Sequence, residues 1–346
     1  MKLLIRATNW VGDAIMALPA LQVVRQQFPE AHIAILALPQ VAEIYEGQGI
    51  ADELIVYERT GQHAGIRGRE RLAAALRSKQ FDTGLLLQNA FDAAWLAWRA
   101  GIPRRIGYNR DGRGILLTKA IPVPEAGEIP AHEKFYYLEL VRRAGWLESL
   151  PDVPEISLRV TAEQLKKAEA RLCEMGARAG AARVAVGAGA SYGSAKCWPP
   201  ERFAQALNQL RRERETDVVL FGTTRETEVS AAIRAGLREP ALDLTGRTEV
   251  AELAALLSRC SVFLGNDSGA MHVAAAVGLP VLAVFGPTDP FGTAPVTPRC
   301  TVVQQKPYCS PCFLRRCPTD HRCMTAVTPE MVSEPLLRRI AEVSPA

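Results

Sequence analysis

The chain has 346 residues, 48% of them hydrophobic, which is enough for one large or two medium cores and excludes a disordered or fibrous chain. Its formal net charge of +4 is too small to imply a nucleic-acid partner. No uninterrupted apolar run is long enough to span a bilayer, and the first residues turn polar at Thr8-Asn9 without an export-signal core, so a cytoplasmic protein is expected.

Residues 2–7 read as a strand, followed by the loop Thr8-Asn9-Trp10-Val11-Gly12-Asp13. A helix follows, with Pro19 near its start and Phe28-Pro29 at its end. Strands are expected at 32–38, 53–57, 83–88 and 102–108, and helices at 41–45, 69–79, 93–100 and 131–144. The stretch 150–160 holds two prolines and no helical pattern, so it reads as a linker. The second half repeats the logic. Strands are expected at 183–187, 217–221, 242–244, 262–264 and 281–285. Helices are expected from Pro199-Pro200 to Arg214 and at 226–235, 250–258, 270–277 and 329–343. Strands alternating with helices predict doubly wound parallel sheets. Two such halves predict two nucleotide-binding-like domains facing a cleft. The boundaries are 1–155, 156–325 and a last segment, 326–346, whose helix could pack back on the first domain.

Residues 262–290 organise the rest: VFLGNDSGAMHVAAAVGLPVLAVFGPTDP. This is a strand, a polar turn, a small-residue helix stopped by Gly278, and a second strand. In open parallel sheets ligands bind outside the carboxyl ends of the strands, and a helix amino terminus there suits a phosphate. Asp267 and His272 lie beside that position, where they could hold a hydroxyl-rich group. The plain alternative is that Asp267 caps the helix and His272 packs on its first turn.

The loop Gly187-Ala188-Gly189-Ala190-Ser191-Tyr192-Gly193 nearly spells a dinucleotide fingerprint, but its third glycine is one residue late. No Walker A motif and no G-x-S-x-G occur, which disfavours an NTPase and the commonest hydrolase elbow. What remains is a Gly/Ser loop, Lys196 and a helix amino terminus at Ser268, a set that would neutralise a diphosphate. Lys196 could equally be an exposed loop lysine. Between Arg59 and Lys119 there are 12 Lys and Arg against 4 Asp and Glu. A solvated face is the default for such a run, and an anionic lipid or polyanionic substrate is the functional alternative. Eight cysteines in a cytoplasmic-looking chain argue against disulfides. Cys309, Cys312, Cys317 and Cys323 cluster irregularly, which suits a thiol-lined loop better than a zinc knuckle, so no metal is expected.

The motifs NWVGDAIMALPAL, GASYGSAKCWP, FGTTRE, DLTGRT and the 262–290 stretch together resemble the ADP-heptose:lipopolysaccharide heptosyltransferases, over nearly the whole chain and in order. Asn9-Trp10-Val11 and the cysteine-rich tail look more like heptosyltransferase II than heptosyltransferase I. The resemblance implies the GT-B glycosyltransferase fold, two Rossmann-like domains facing a central cleft. The first domain would bind acceptor and the second nucleotide sugar. It implies an inverting transfer of heptose from an ADP-heptose donor to an anionic inner-core glycolipid, by a protein at the inner face of the inner membrane. No cofactor and no nucleic acid are implied. By the same resemblance Asp13 is the general base, although it also reads as a helix N-cap. Ser191 and Lys196 meet the diphosphate, Glu226 the ribose, and Asp267, Ser268, Gly269 and His272 the phosphate and heptose. Tyr192 departs from the second hydroxyl of some members. Arg67, Arg104, Arg105, Arg110 and Arg113 are acceptor candidates. An enzyme acting on Kdo, a sugar-nucleotide epimerase and a non-catalytic glycolipid-binding protein stay as alternatives.

Overall fold

A computed structural model describes residues 1–343, which divide into two units, 1–153 and the described residues from 154 onward. The first unit runs β1 (Lys2–Arg6), α1 (Val11–Met16), α2 (Leu18–Gln27), β2 (His32–Ala37), α3 (Pro39–Tyr45), β3 (Glu53–Val56), α4 (Gly65–Ser78), β4 (Thr83–Leu86), α5 (Phe91–Arg99), β5 (Arg104–Tyr108), β6 (Lys119–Ile121) and α6 (Glu133–Arg143). The second runs α7 (Ala162–Glu174), β7 (Ala182–Gly187), α8 (Pro200–Glu213), β8 (Thr216–Phe221), α9 (Thr227–Gly236), β9 (Leu242–Asp243), α10 (Val250–Leu257), β10 (Val262–Asn266), α11 (Gly269–Ala276), β11 (Val281–Phe285), α12 (Pro290–Thr293), β12 (Cys300–Gln304), α13 (Arg322–Thr325) and α14 (Pro329–Val343).

Each unit holds a six-stranded parallel sheet. The orders are β3-β2-β1-β4-β5-β6 and β12-β11-β10-β7-β8-β9. The expected strands appear within a few residues of their bounds, and β6, β12 and α7 add to them. Helix α7 opens on a capping box in which Thr161 and Gln164 satisfy each other's backbone. Strands such as β10 and β11 are buried along their whole length, because helices cover both faces of a parallel sheet. In both sheets the strand order reverses once, between β1 and β4 and between β7 and β10. Neighbouring connections leave in opposite directions at such a point and open a crevice at the carboxyl ends.

The 150–160 stretch has no regular structure, yet it is tied down. Ile156 and Leu158 donate backbone hydrogen bonds to Val296 and Ala276 of the second unit, and both side chains are buried. The last helix packs on α8, and Val332, Leu336 and Ile340 form one buried face at a spacing of four residues. The packing seen for this helix is therefore within the second unit.

One buried amide fixes the second switch point. Asn266, at the end of β10 and fully buried, donates to Ala188 O (2.5 Å) and accepts from Trp198 N (3.0 Å). It thus clamps both ends of the loop after β7. Replacing it by Ala strands a buried N–H and a buried C=O. We expect Asn266→Ala to cost about 2–4 kcal/mol of stability, read as a lower urea midpoint with an unchanged slope.

Candidate active site

The second switch point gathers the groups expected to meet a diphosphate. The loop after β7 carries Lys196 in a short 3-10 turn, and β10 ends beside Asp267. Lys196 Nζ lies 2.5 Å from Asp267 Oδ2, and both side chains are largely buried, at 12% and 5% exposed. Thr288, in the loop after β11, donates to the same carboxylate oxygen at 2.7 Å. Asp267 is not the N-cap of α11: Ser268 is, and it makes no side-chain cap hydrogen bond. The leading backbone N–H groups of α11 therefore keep donors for an anion. Gly269 opens that helix, and His272 is buried on its first turn.

Glu226 sits across the same sheet end. Its carboxylate accepts from Thr223 N at 2.6 Å, in a capping box. It also presses on Gly189, where an added Cβ would fall 1.8 Å from Glu226 Oε1. The glycine-rich loop is thus explained by the carboxylate that it admits. Ser191 is exposed in that loop.

Thr288 and Arg315 went unnoticed in the sequence, and the contacts of Tyr192 were not foreseen. Thr288 holds Asp267, as described. Tyr192 and Arg315 form a stack: the Tyr192 ring lies under Lys196 Nζ (4.7 Å) and Arg315 (5.3 Å), and its hydroxyl donates to Phe313 O at 2.6 Å. The cysteine-bearing loop 309–323 is what supplies these contacts. His321 Nε2 lies 2.7 Å from Ala195 O, and Ala195 N donates to Arg315 O. The loop packs against the strand-end loop through backbone and one thiol: Cys312 N donates to Pro287 O, and Cys323 is buried beside Gly286, while Cys309 and Cys312 are exposed. Among the described residues, no three His, Cys, Asp or Glu side chains are grouped to hold a metal ion.

In the first unit Asp13 is the third residue of α1, just after β1 at the first switch point. The N-cap is Trp10, so Asp13 occupies the first turn rather than the cap. The arginines expected to bind acceptor do not act together. Strand polarity separates them. Arg104 and Arg105 lie level with Leu3 and Leu4, at the amino end of the sheet and away from Asp13. Arg104 stacks over Trp146, and Arg105 binds the carbonyls of Leu116 and Ile102. Arg113 is fully buried and gives its guanidinium to Tyr108 O, Gln88 O, Leu86 O and Asn89 Oδ1. Burial pulls its pKa down to about 10. Arg105 and Arg113 are thus held by carbonyls of the fold, and Arg104 is exposed at the sheet end opposite Asp13. Arg67, early in α4, and Arg110, after β5, are exposed at the carboxyl end. Arg69 joins them there, paired with Asp92 at 3.3 Å.

A doubly wound parallel sheet in each unit, with a cation and a helix amino terminus at the second switch point, suits an enzyme that handles a phosphorylated ligand. Residues 69–322 match the family model described as glycosyltransferase family 9 (heptosyltransferase). The chain belongs to that family. It is 29% identical to lipooligosaccharide heptosyltransferase 2 of Haemophilus influenzae and 29% identical to lipopolysaccharide heptosyltransferase 2 of Salmonella typhimurium, with 88% of each chain covered in both cases. The solved ADP-heptose LPS heptosyltransferase II of Escherichia coli superposes with a TM-score of 0.82, at 26% identity, over 99% of both chains.

The ion pair makes a testable statement. Removing one partner of a buried pair leaves the other charge unpaired, which typically costs about 3–5 kcal/mol. Lys196→Met should therefore destabilise the ligand-free protein clearly. Lys196→Met with Asp267→Leu should recover much of the loss. Denaturant titrations of the single and double variants read the difference.

Proposed function

We propose that this enzyme transfers L-glycero-D-manno-heptose from ADP-heptose to the first heptose of the lipopolysaccharide inner core on Kdo2-lipid A. The observation that carries the donor half is the convergence of Lys196, Asp267 and the uncapped α11 at one switch point. Cation and backbone donors suit a diphosphate, and a buried carboxylate suits sugar hydroxyls. The heptose and its acceptor rest on the likeness to proteins named heptosyltransferase 2, which favours this reading over an enzyme acting on Kdo. Membership of a glycosyltransferase family disfavours the epimerase and the non-catalytic binder.

In the proposed reaction Asp13 takes the acceptor hydroxyl proton as that oxygen attacks the anomeric carbon. The bond from this carbon to the ADP oxygen breaks, and the configuration inverts. The charge that develops on ADP is met by Lys196 and the α11 amino end, joined by Ser191, Ser268 and Gly269. Glu226 binds the ribose hydroxyls and His272 the heptose. The resting Lys196–Asp267 pair is compatible with this, because an ammonium has three donors and can serve a carboxylate and a phosphate together.

The same reading makes the protein cytoplasmic and peripheral at the inner membrane. No helix among the described residues is long and apolar enough to cross a membrane. Ile66 and Ile115 are 75% and 86% exposed, one beside Arg67 and the other shortly after Arg110. Apolar side chains next to cations suit an anionic lipid surface.

Asp13→Asn should lower kcat by roughly two to four orders of magnitude, the usual share of a general base, with little change in the donor KM. Near-normal turnover of the folded variant would refute the base assignment. Lys196→Ala should weaken ADP binding and slow transfer together. Arg67→Gln with Arg110→Gln should raise the acceptor KM more than the donor KM, and the acceptor KM of the parent enzyme should rise with salt. Mass spectrometry of reactions with defined truncated glycolipids reads acceptor choice. Product formed on Kdo2-lipid A without heptose would overturn the assignment to the second heptose.

A further inference from the structure

We propose that Arg315 is a second cation for the diphosphate of the donor, held over the Lys196 loop by the cysteine-bearing segment 309–323. The inference deepens the donor reading above and rests on it. Tyr192 is the platform: Lys196 Nζ lies 4.7 Å and the Arg315 guanidinium 5.3 Å from the centre of its ring. The ring is fixed in turn, because its hydroxyl donates to Phe313 O at 2.6 Å. The Arg315 main chain is bound to the same loop, its carbonyl accepting from Ala195 N at 3.1 Å, next to Lys196. It comes so close that a Cβ on Gly193 would fall 2.2 Å from Arg315 O. That approach accounts for the late third glycine of the 187–193 loop. On its other side the segment is tied to the loop that carries Thr288. Ser310 Oγ donates to Gly286 O at 2.6 Å, and Cys312 N and Phe313 N donate to Pro287 O at 3.0 and 2.8 Å. Residues 310–315 thus bridge the two loops that carry Lys196 and Thr288.

Lys196 alone is a poor match for a diphosphate, because Asp267 offsets its charge at 2.5 Å. The leaving group is already multiply anionic in the donor and gains further charge as its bond to the sugar breaks. Arg315 is the neighbouring positive charge that no carboxylate offsets: among the described residues it makes no ion pair. It is exposed, and resting on an aromatic ring orients a guanidinium without consuming its N–H donors. Its planar fork can then meet two phosphate oxygens at once. Two like charges set against one ring repel each other in the free protein, and an anion between them is drawn to both. Lys196 serves the buried side of the diphosphate and Arg315 the exposed side. Arg315 stays protonated throughout and acts by charge and hydrogen bonding alone.

The test is binding of ADP and of adenosine to the full chain, with variants that grade the charge at position 315. Calorimetry reads ADP, and ligand-observed NMR reads adenosine, the weaker binder. The Kd of ADP should rise in the order parent, Arg315→Lys, Arg315→Gln, Arg315→Glu. Arg315→Gln should bind ADP roughly tenfold more weakly, the usual contribution of one charge-assisted hydrogen bond. Adenosine, which carries no phosphate, should bind all four alike. The kcat of transfer should fall in the same order, because the charge on the leaving group is greatest in the transition state. The anchors of Arg315 to the Lys196 loop are main-chain atoms, so each variant keeps them, and an unchanged urea midpoint shows it. Gly193→Ala is the second route: it retains both cations but displaces the Arg315 main chain, and it should also weaken ADP relative to adenosine. An ADP Kd indifferent to the charge at 315 overturns the proposal. So does an equal loss of ADP and adenosine, which would make Arg315 a support for the loop only. Lys196→Ala tells this failure from that of the reading beneath it. If Lys196→Ala weakens ADP while the 315 series stays level, Arg315 alone is refuted. If Lys196→Ala leaves ADP binding unchanged, the donor reading fails and the second cation with it.

Discussion

A lysine and an aspartate 71 positions apart can share a buried hydrogen bond only because the second sheet reverses its strand order between β7 and β10. The loop after β7 and the loop after β10 then leave the sheet side by side but in opposite directions. Lys196 rides on one and Asp267 follows the other. Much else in the unit serves that meeting. Asn266 clamps the β7 loop at both ends, and Thr288 fixes the carboxylate from the next strand. The loop 309–323 supports Tyr192 and Ala195 from outside the sheet. A buried ion pair is weak evidence of stability, because desolvation offsets most of its attraction. What the pair does show is a cation held in a largely buried place, where its charge is screened less than at the surface.

The first unit uses the same topology for a different purpose. Its switch point lies between β1 and β4, and Asp13 stands just beyond it. Where the second unit places a cation and a helix amino terminus at its switch point, the first places the carboxylate of Asp13. The buried cation nearby, Arg113, is consumed by three backbone carbonyls and an amide. It stitches the loop after β4 to the end of β5 and has no capacity left for a substrate anion. Exposed Arg67 and Arg110 keep theirs. The division suits a transfer in which one partner must lose a proton and the other must lose a phosphate.

The order of elements was legible because hydrophobic runs of strand length alternate with amphipathic helices, and period and length survive without tertiary context. The helix stop at Gly278, the Pro-opened α8 and the polar turns at strand ends are local chemistry, so the sequence could show them. That Lys196, Asp267 and Ser268 lie at strand ends was legible in the same way, since those ends are recognisable. Even the nearly regular glycine loop carried information, although its reason is spatial: Gly189 is small because Glu226, from another loop, occupies the space.

Charge alone could not tell an internal cation from an external one. Arg104, Arg105 and Arg113 belong to the same basic run as Arg67 and Arg110. Strand direction puts the first two at the amino end of the sheet, and burial turns the third inward. Nor could the sequence join Thr288 to Asp267 or Glu226 to Gly189, pairs that come from different loops. The sequence by itself determined the elements, their alternation and the residue types at strand ends, because those depend on neighbours along the chain. The tertiary structure decided which of those ends meet and which charges face water, because strand order and burial depend on contacts that no local pattern encodes.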